Sequence, residues 1–118
     1  MTREFLDYIE DVLASMAKAE KFIQGMRYDD FLADDKTSYA TLRALEIIGE
    51  AVKKVPQVIR NRYPDIPWAE MAGMRDKLIH DYFGVNLQTV WDTVKRDIPS
   101  LKTKFEQIYR DFSDKEAQ

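Results

Sequence analysis

Cysteine is absent from this 118-residue chain and histidine occurs once. The first absence removes any disulfide framework and any thiolate nucleophile; the second removes a histidine-rich metal site within one chain, leaving only a carboxylate Mg²⁺ site open. Glycine and proline are sparse, four of each, which disfavours a loop-rich or disordered chain. No window approaches 18 uninterrupted apolar residues, and the first residues, with Arg3, Glu4 and Asp7, lack the apolar stretch of a signal peptide. The expected location is therefore the cytoplasm, with no membrane involvement. Nothing alternates with period two over a useful length, so no β-sheet is expected. No repeat, low-complexity tract or glycine-rich phosphate loop is found.

What remains is 45% hydrophobic and 33% charged, the balance of a soluble helical protein, and long enough to bury about two thirds of its unfolded surface as a single domain over residues 1–118. The net charge of −3 argues against a generally basic nucleic-acid coat. The charge is uneven, however: residues 1–50 carry 6 basic and 11 acidic side chains, net −5, and residues 51–118 carry 12 and 10, net +2. Between Ala51 and Arg62 stand Lys53, Lys54, Arg60 and Arg62 with no acidic residue. This run is either a local phosphate-attracting patch or a solvated helix face.

Apolar residues recur at steps of three and four through Phe5, Ile9, Val12, Met16, Ala19 and Ile23, predicting a helix that ends near Gly25. Tyr28 to Lys36 reads as a connecting turn or one helical turn anchored by Phe31 and Leu32. Thr37 and Ser38 are candidate caps for a second helix through Leu42, Leu45, Ile48, Val52, Val55 and Ile59, ending or kinking at Pro56 and adding a turn through Arg60. Gly49 lies inside it, a cost most simply offset by close approach of another backbone. Glu50, amid apolar neighbours, either faces solvent or holds an arginine in a cleft.

Pro64 and Pro67 mark a break, with Pro67 placed to open a third helix whose apolar side is Trp68, Met71, Met74, Leu78 and Tyr82. Phe83 and Gly84 end it. A fourth runs from a cap at Asn86 through Leu87, Val90, Val94, Leu101, Phe105, Ile108 and Phe112, with a kink near Ile98 from Pro99 and a frayed tail over residues 113–118. The expected fold is an all-α, up-and-down bundle of four main helices.

Chemistry concentrates between Gly73 and Tyr82. Asp76 and His80 stand at i and i+4, within reach of each other on a helix, with Arg75 and Tyr82 close by. A permanent cation, an imidazole that titrates near neutral pH and a phenol suit phosphate chemistry. The plainer alternative is a capped surface or satisfied core histidine, with Tyr82 a core aromatic. A di-iron bundle is excluded, because the Glu-x-x-His pair it needs would require an acid where Lys77 stands.

Arg75, His80 and Tyr82 form an R-x4-H-x-Y pattern that resembles the signature of the HEPN superfamily, specifically the HepT-like toxins that pair with minimal nucleotidyltransferase antitoxins in type VII-like systems. Ile48-Gly49-Glu50-Ala51, Ile66-Pro67-Trp68 and Gly73-Met74-Arg75 resemble the same family in order and spacing, over nearly the whole chain. One departure is Asp76, where relatives commonly carry Asn or another polar residue; a carboxylate there would raise the pKa of His80. The resemblance implies a helical bundle, a homodimer whose motifs line a shared cleft, and metal-independent cleavage of RNA, tRNA being the expected substrate, with Arg75 and His80 as catalytic residues. It further implies that a partner nucleotidyltransferase attaches AMP to Tyr82. Asp76 and Glu50 are expected in support, Lys53, Lys54 and Lys77 on the RNA backbone, and no cofactor or metal. The alternative is a non-catalytic HEPN subunit that binds nucleotide or positions substrate for a nucleotidyltransferase. On an ideal helix Arg75 and His80 lie about 140° apart, so a site using both is more simply completed across a two-fold axis.

Overall fold

The computed structural model describes residues 4–78 and 84–117, with side chains as far as Ser113. Ile79, His80, Asp81, Tyr82 and Phe83 lie outside the described residues, and with them the expected roles of His80 and Tyr82 and the expected end of the third helix. The described chain is all-α, without a sheet.

α1 (Glu4–Phe22) buries the predicted stripe, with Phe5, Ile9, Val12, Met16, Ala19 and Ile23 all at most 5% exposed. The chain leaves it through Gly25 at φ +78, the left-handed conformation that glycine adopts without a Cβ clash. The connecting piece is a true helix, α2 (Tyr28–Ala33), and only one expected anchor is inside: Phe31 is fully buried against Trp91, whereas Leu32 is 41% exposed.

α3 (Asp35–Lys53) begins earlier than the Thr37 and Ser38 caps imply. Its N-cap is Asp34, which accepts from the Thr37 backbone N–H at 3.0 Å and from its hydroxyl at 2.8 Å. An acceptor carboxylate satisfies a free helix-start N–H better than a hydroxyl does, and these bonds hold the Asp34 carboxyl below its ordinary pKa. Ser38 and Thr41 turn their hydroxyls back to the helix carbonyls of Asp35 and Thr37. Pro56 is the N-cap of a short α4 (Gln57–Arg60), as its missing N–H allows. Arg60 donates to the carbonyls of Val52 and Val55 at 2.9 and 3.0 Å and lies over Trp68, so this member of the basic run closes the end of α3.

The third helix is not continuous. α5 (Trp68–Ala72), capped at Pro67, and α6 (Met74–Leu78) meet at Gly73. Periodicity alone cannot see this break. Glycine holds a helix poorly, and breaking there lets Met71 and Met74 both bury against α3. The prolines upstream form an extended connection fastened by Trp68, whose indole N–H donates to the Tyr63 carbonyl at 3.0 Å, and by the Tyr63 hydroxyl, which donates to Asp111 at 2.7 Å. Burial and that carboxylate push the Tyr63 phenol above its ordinary pKa.

Asn86 caps α7 (Leu87–Asp92), accepting from the Thr89 N–H at 3.0 Å. The expected kink takes a particular form: Thr93–Asp97 is π-helical, with the Ile98 N–H donating to the Thr93 carbonyl five residues back, before α8 (Ile98–Ala117) resumes. Pro99 is the cause. It has no N–H and its ring crowds the carbonyl four residues earlier, so the preceding turn widens. α8 continues through Ala117. α1 packs on α3 and α8, and α5 and α6 pack on α3, closing one core around Phe31, Leu45, Ile48 and Phe105.

Candidate functional site

The site begins at a glycine. An added Cβ at Gly49 would lie 3.0 Å from the Met71 carbonyl oxygen and 3.4 Å from the Met74 Cβ, so α3 and the α5–α6 junction touch backbone to backbone there. This is the close approach that a mid-helix glycine predicted. It fixes Met74, and therefore the residue after it, against the side of α3.

That residue is Arg75. Its Nε lies 3.4 Å from a carboxylate oxygen of Glu46, one turn before Gly49 on α3. The arginine side chain is 61% exposed and the glutamate 19%, so the acid is rooted in the fold and the guanidinium stands outward. Nε is the nitrogen that meets the glutamate, and among the described residues no second carboxylate is paired with this exposed guanidinium.

Glu50 is therefore not the acid that holds the arginine. It is exposed and sits 3.9 Å from Lys53 on its own helix. Glu46 went unremarked because its surroundings in the chain are ordinary; the available signal was its spacing of three from Gly49, which puts it on the stripe that meets the crossing element. The three candidate RNA-binding lysines do not gather: Lys53 pairs with Glu50, Lys54 lies over the Tyr8 ring beside a groove between α1 and α3, and Lys77 opens into a cleft on the other side of α6. Asp76 is exposed on α6. Arg62 lies over Phe112, so the basic run from Ala51 to Arg62 is distributed over separate contacts. Among the described residues, no three His, Asp or Glu side chains converge as a metal site requires, and no helix is long and apolar enough to cross a membrane.

An all-α bundle that presents an anchored, outward arginine at the head of the R-x4-H-x-Y pattern defines a HEPN-type architecture. The family described as ribonuclease HepT-like matches residues 12–108, which include Glu46, Gly49 and the whole pattern. A protein of Thermococcus cleftensis described as a probable ribonuclease HepT is 53% identical over 108 residues, covering 92% of this chain and 98% of the relative. A candidate RNase of Methanocaldococcus jannaschii is 48% identical over 113 residues, covering 96% and 97%. One of Caldanaerobacter subterraneus is 43% identical over 101 residues, covering 86% and 90%. No solved structure matches the chain. The chain belongs to the ribonuclease HepT-like family.

Proposed function

We propose that this protein is a metal-independent endoribonuclease that works in the cytoplasm as a homodimer, the toxin of a type VII-like toxin–antitoxin pair, cutting RNA with tRNA as its substrate. The observation that carries the reading is the exposed Arg75 guanidinium held through one nitrogen by Glu46. A surface arginine fixed in place with its fork open is built to meet a phosphate.

In the proposed reaction a base removes the proton of a ribose 2′-hydroxyl, whose oxygen attacks the neighbouring phosphorus. The bond to the 5′-oxygen breaks, and an acid returns a proton to that oxygen, leaving a 2′,3′-cyclic phosphate and a 5′-hydroxyl. His80 serves as base or acid, Arg75 stabilises the charge of the pentacoordinate phosphate, and Asp76 orients the imidazole. One chain offers one histidine; a dimer brings two to a shared cleft.

Tyr82 is the proposed point of control. A partner nucleotidyltransferase would join AMP from ATP to the phenol oxygen with loss of pyrophosphate, and the new phosphodiester would occupy Arg75 and exclude substrate by charge and bulk. Co-production with that partner should add the mass of AMP to the wild type and not to Tyr82→Phe.

Incubation with tRNA and with single-stranded RNA in EDTA tests the activity. His80→Ala should lower cleavage by about 10²- to 10⁴-fold, the usual worth of a positioned acid or base, with helix content unchanged. Cleavage at the wild-type rate in that variant would refute the mechanism. Tight nucleotide binding without any cleavage by the wild type would leave a binding subunit in its place.

A further inference from the structure

α6 has a second chemically loaded side. Lys77, about 200° round an ideal helix from Arg75, lines a cleft of about 350 Å³ between α5–α6 and the π-helical segment. Its floor is apolar, made by Met71, Met74 and Leu101, all under 9% exposed. Soft thioethers pack well on flat rings. Lys77 from α6 and Arg96 from the π-helical segment enter from opposite walls, and neither has a carboxylate partner among the described residues. Lys104 differs, being held by Asp65 through its carboxylate at 3.5 Å and its carbonyl at 3.1 Å.

Thr93 adds a polar group to the same wall. It lines the cleft from the same π-helical turn as Arg96, with a hydroxyl that can both donate and accept there. The π-helical turn that carries it is a geometry often found at functional sites. Glu70 and Asp97 also line the cleft. They disfavour a bare phosphate but accept hydrogen bonds from base amino groups and ribose hydroxyls. Ring, hydroxyl donors and phosphate are found together in a nucleotide.

We propose that this cleft holds one nucleotide of the RNA flanking the cleaved linkage, with its base on the methionine floor, its phosphate between Lys77 and Arg96, and a polar atom on the Thr93 hydroxyl. This rests on the ribonuclease reading, and places the flanking nucleotide one helix thickness, about 10 Å, from Arg75.

Binding of a short fluorescein-labelled single-stranded RNA to the His80→Ala protein, measured over a range of salt, tests it without interference from cutting. Arg96→Ala should weaken binding and lower the slope of log affinity against log salt by about 0.7, the share of one phosphate on a single strand. Thr93→Val should weaken RNA binding severalfold, because it removes the hydroxyl that meets the nucleotide. In the active protein, Arg96→Ala should raise KM more than it lowers kcat. Unchanged affinity and salt slope in Arg96→Ala would overturn the proposal. So would Arg96-dependent binding of AMP alongside Arg96-independent binding of RNA, which would assign the cleft to a free nucleotide. Cleavage that survives His80→Ala while the Arg96 dependence of RNA binding stands would sink the catalytic mechanism and leave this subsite intact.

Discussion

Glu46 shows how little energy a functional contact needs to involve. Its pair with Arg75 is half in solvent, so it contributes at most about 1 kcal/mol to stability. What it does is hold a flexible side chain in one place, and positioning acts on rate rather than on folding. Glu46→Gln should therefore lower cleavage several-fold with kcat falling more than KM rises, while the melting temperature stays nearly constant. Glu46→Asp, which keeps the charge on a shorter arm, should recover part of the loss; a purely structural role would track the melting temperature instead. The residue was not singled out in the sequence because a glutamate on a helix is ordinary until its partner is known. Arg75 was singled out because arginine followed by histidine and tyrosine in a fixed spacing is a combination that a structural helix does not require.

Elements meet at Gly49, and there two effects of similar size oppose each other. Gly49→Ala would gain about 1 kcal/mol of helix propensity, but its Cβ would stand 3.0 Å from a backbone carbonyl that can move only with the α5–α6 junction. Overpacking of this kind typically costs about 1–3 kcal/mol, so the variant should be neutral to moderately destabilised in urea or thermal unfolding. Its cleavage rate should drop by more than that loss of stability explains, because the displaced junction carries Arg75. Long helices were legible from the 3.6-residue stripe, since each apolar position on α1 and α3 repeats the same burial. The broken third helix was not: Trp68, Met71, Met74 and Leu78 keep a helical spacing across Gly73, and only packing on α3 reveals that two short helices satisfy it better than one. Pro99 announced a disturbance, but whether a proline yields a bend or a π-helical turn depends on whether Val94 and Ile98 can both stay in the core, which they do at 2% exposure.

At the scale of the whole molecule the proposed cleft is shared, and that has an arithmetic consequence. If each site takes Arg75 from one protomer and His80 from the other, mixing Arg75→Ala with His80→Ala protein gives dimers in which one site carries both defects and the other none. Random exchange at equal amounts makes about half of the dimers mixed, so about a quarter of the wild-type activity should return, as two-fold symmetry requires. Activity that stays at the level of the separate variants would place both residues in one chain. Tyr63 to Asp111 and Lys104 to Asp65 also act at this scale, tying the proline-fixed connection to α8 so that the wall of the Lys77 cleft is part of the folded frame.

Composition and periodicity by themselves determined an all-α fold, the absence of disulfide and thiolate chemistry, the buried stripes of the long helices, and the decade of residues that gathers arginine, histidine and tyrosine. These follow from local rules, namely side-chain period, the missing N–H of proline and the titration range of histidine. Tertiary structure alone decided which acid holds Arg75, that the basic residues after Ala51 part company, and that Thr93, Lys77 and Arg96 face one cleft. Such facts depend on which elements come within a few ångströms of one another, a property that hydrophobic packing sets for the chain as a whole and that no single stretch encodes.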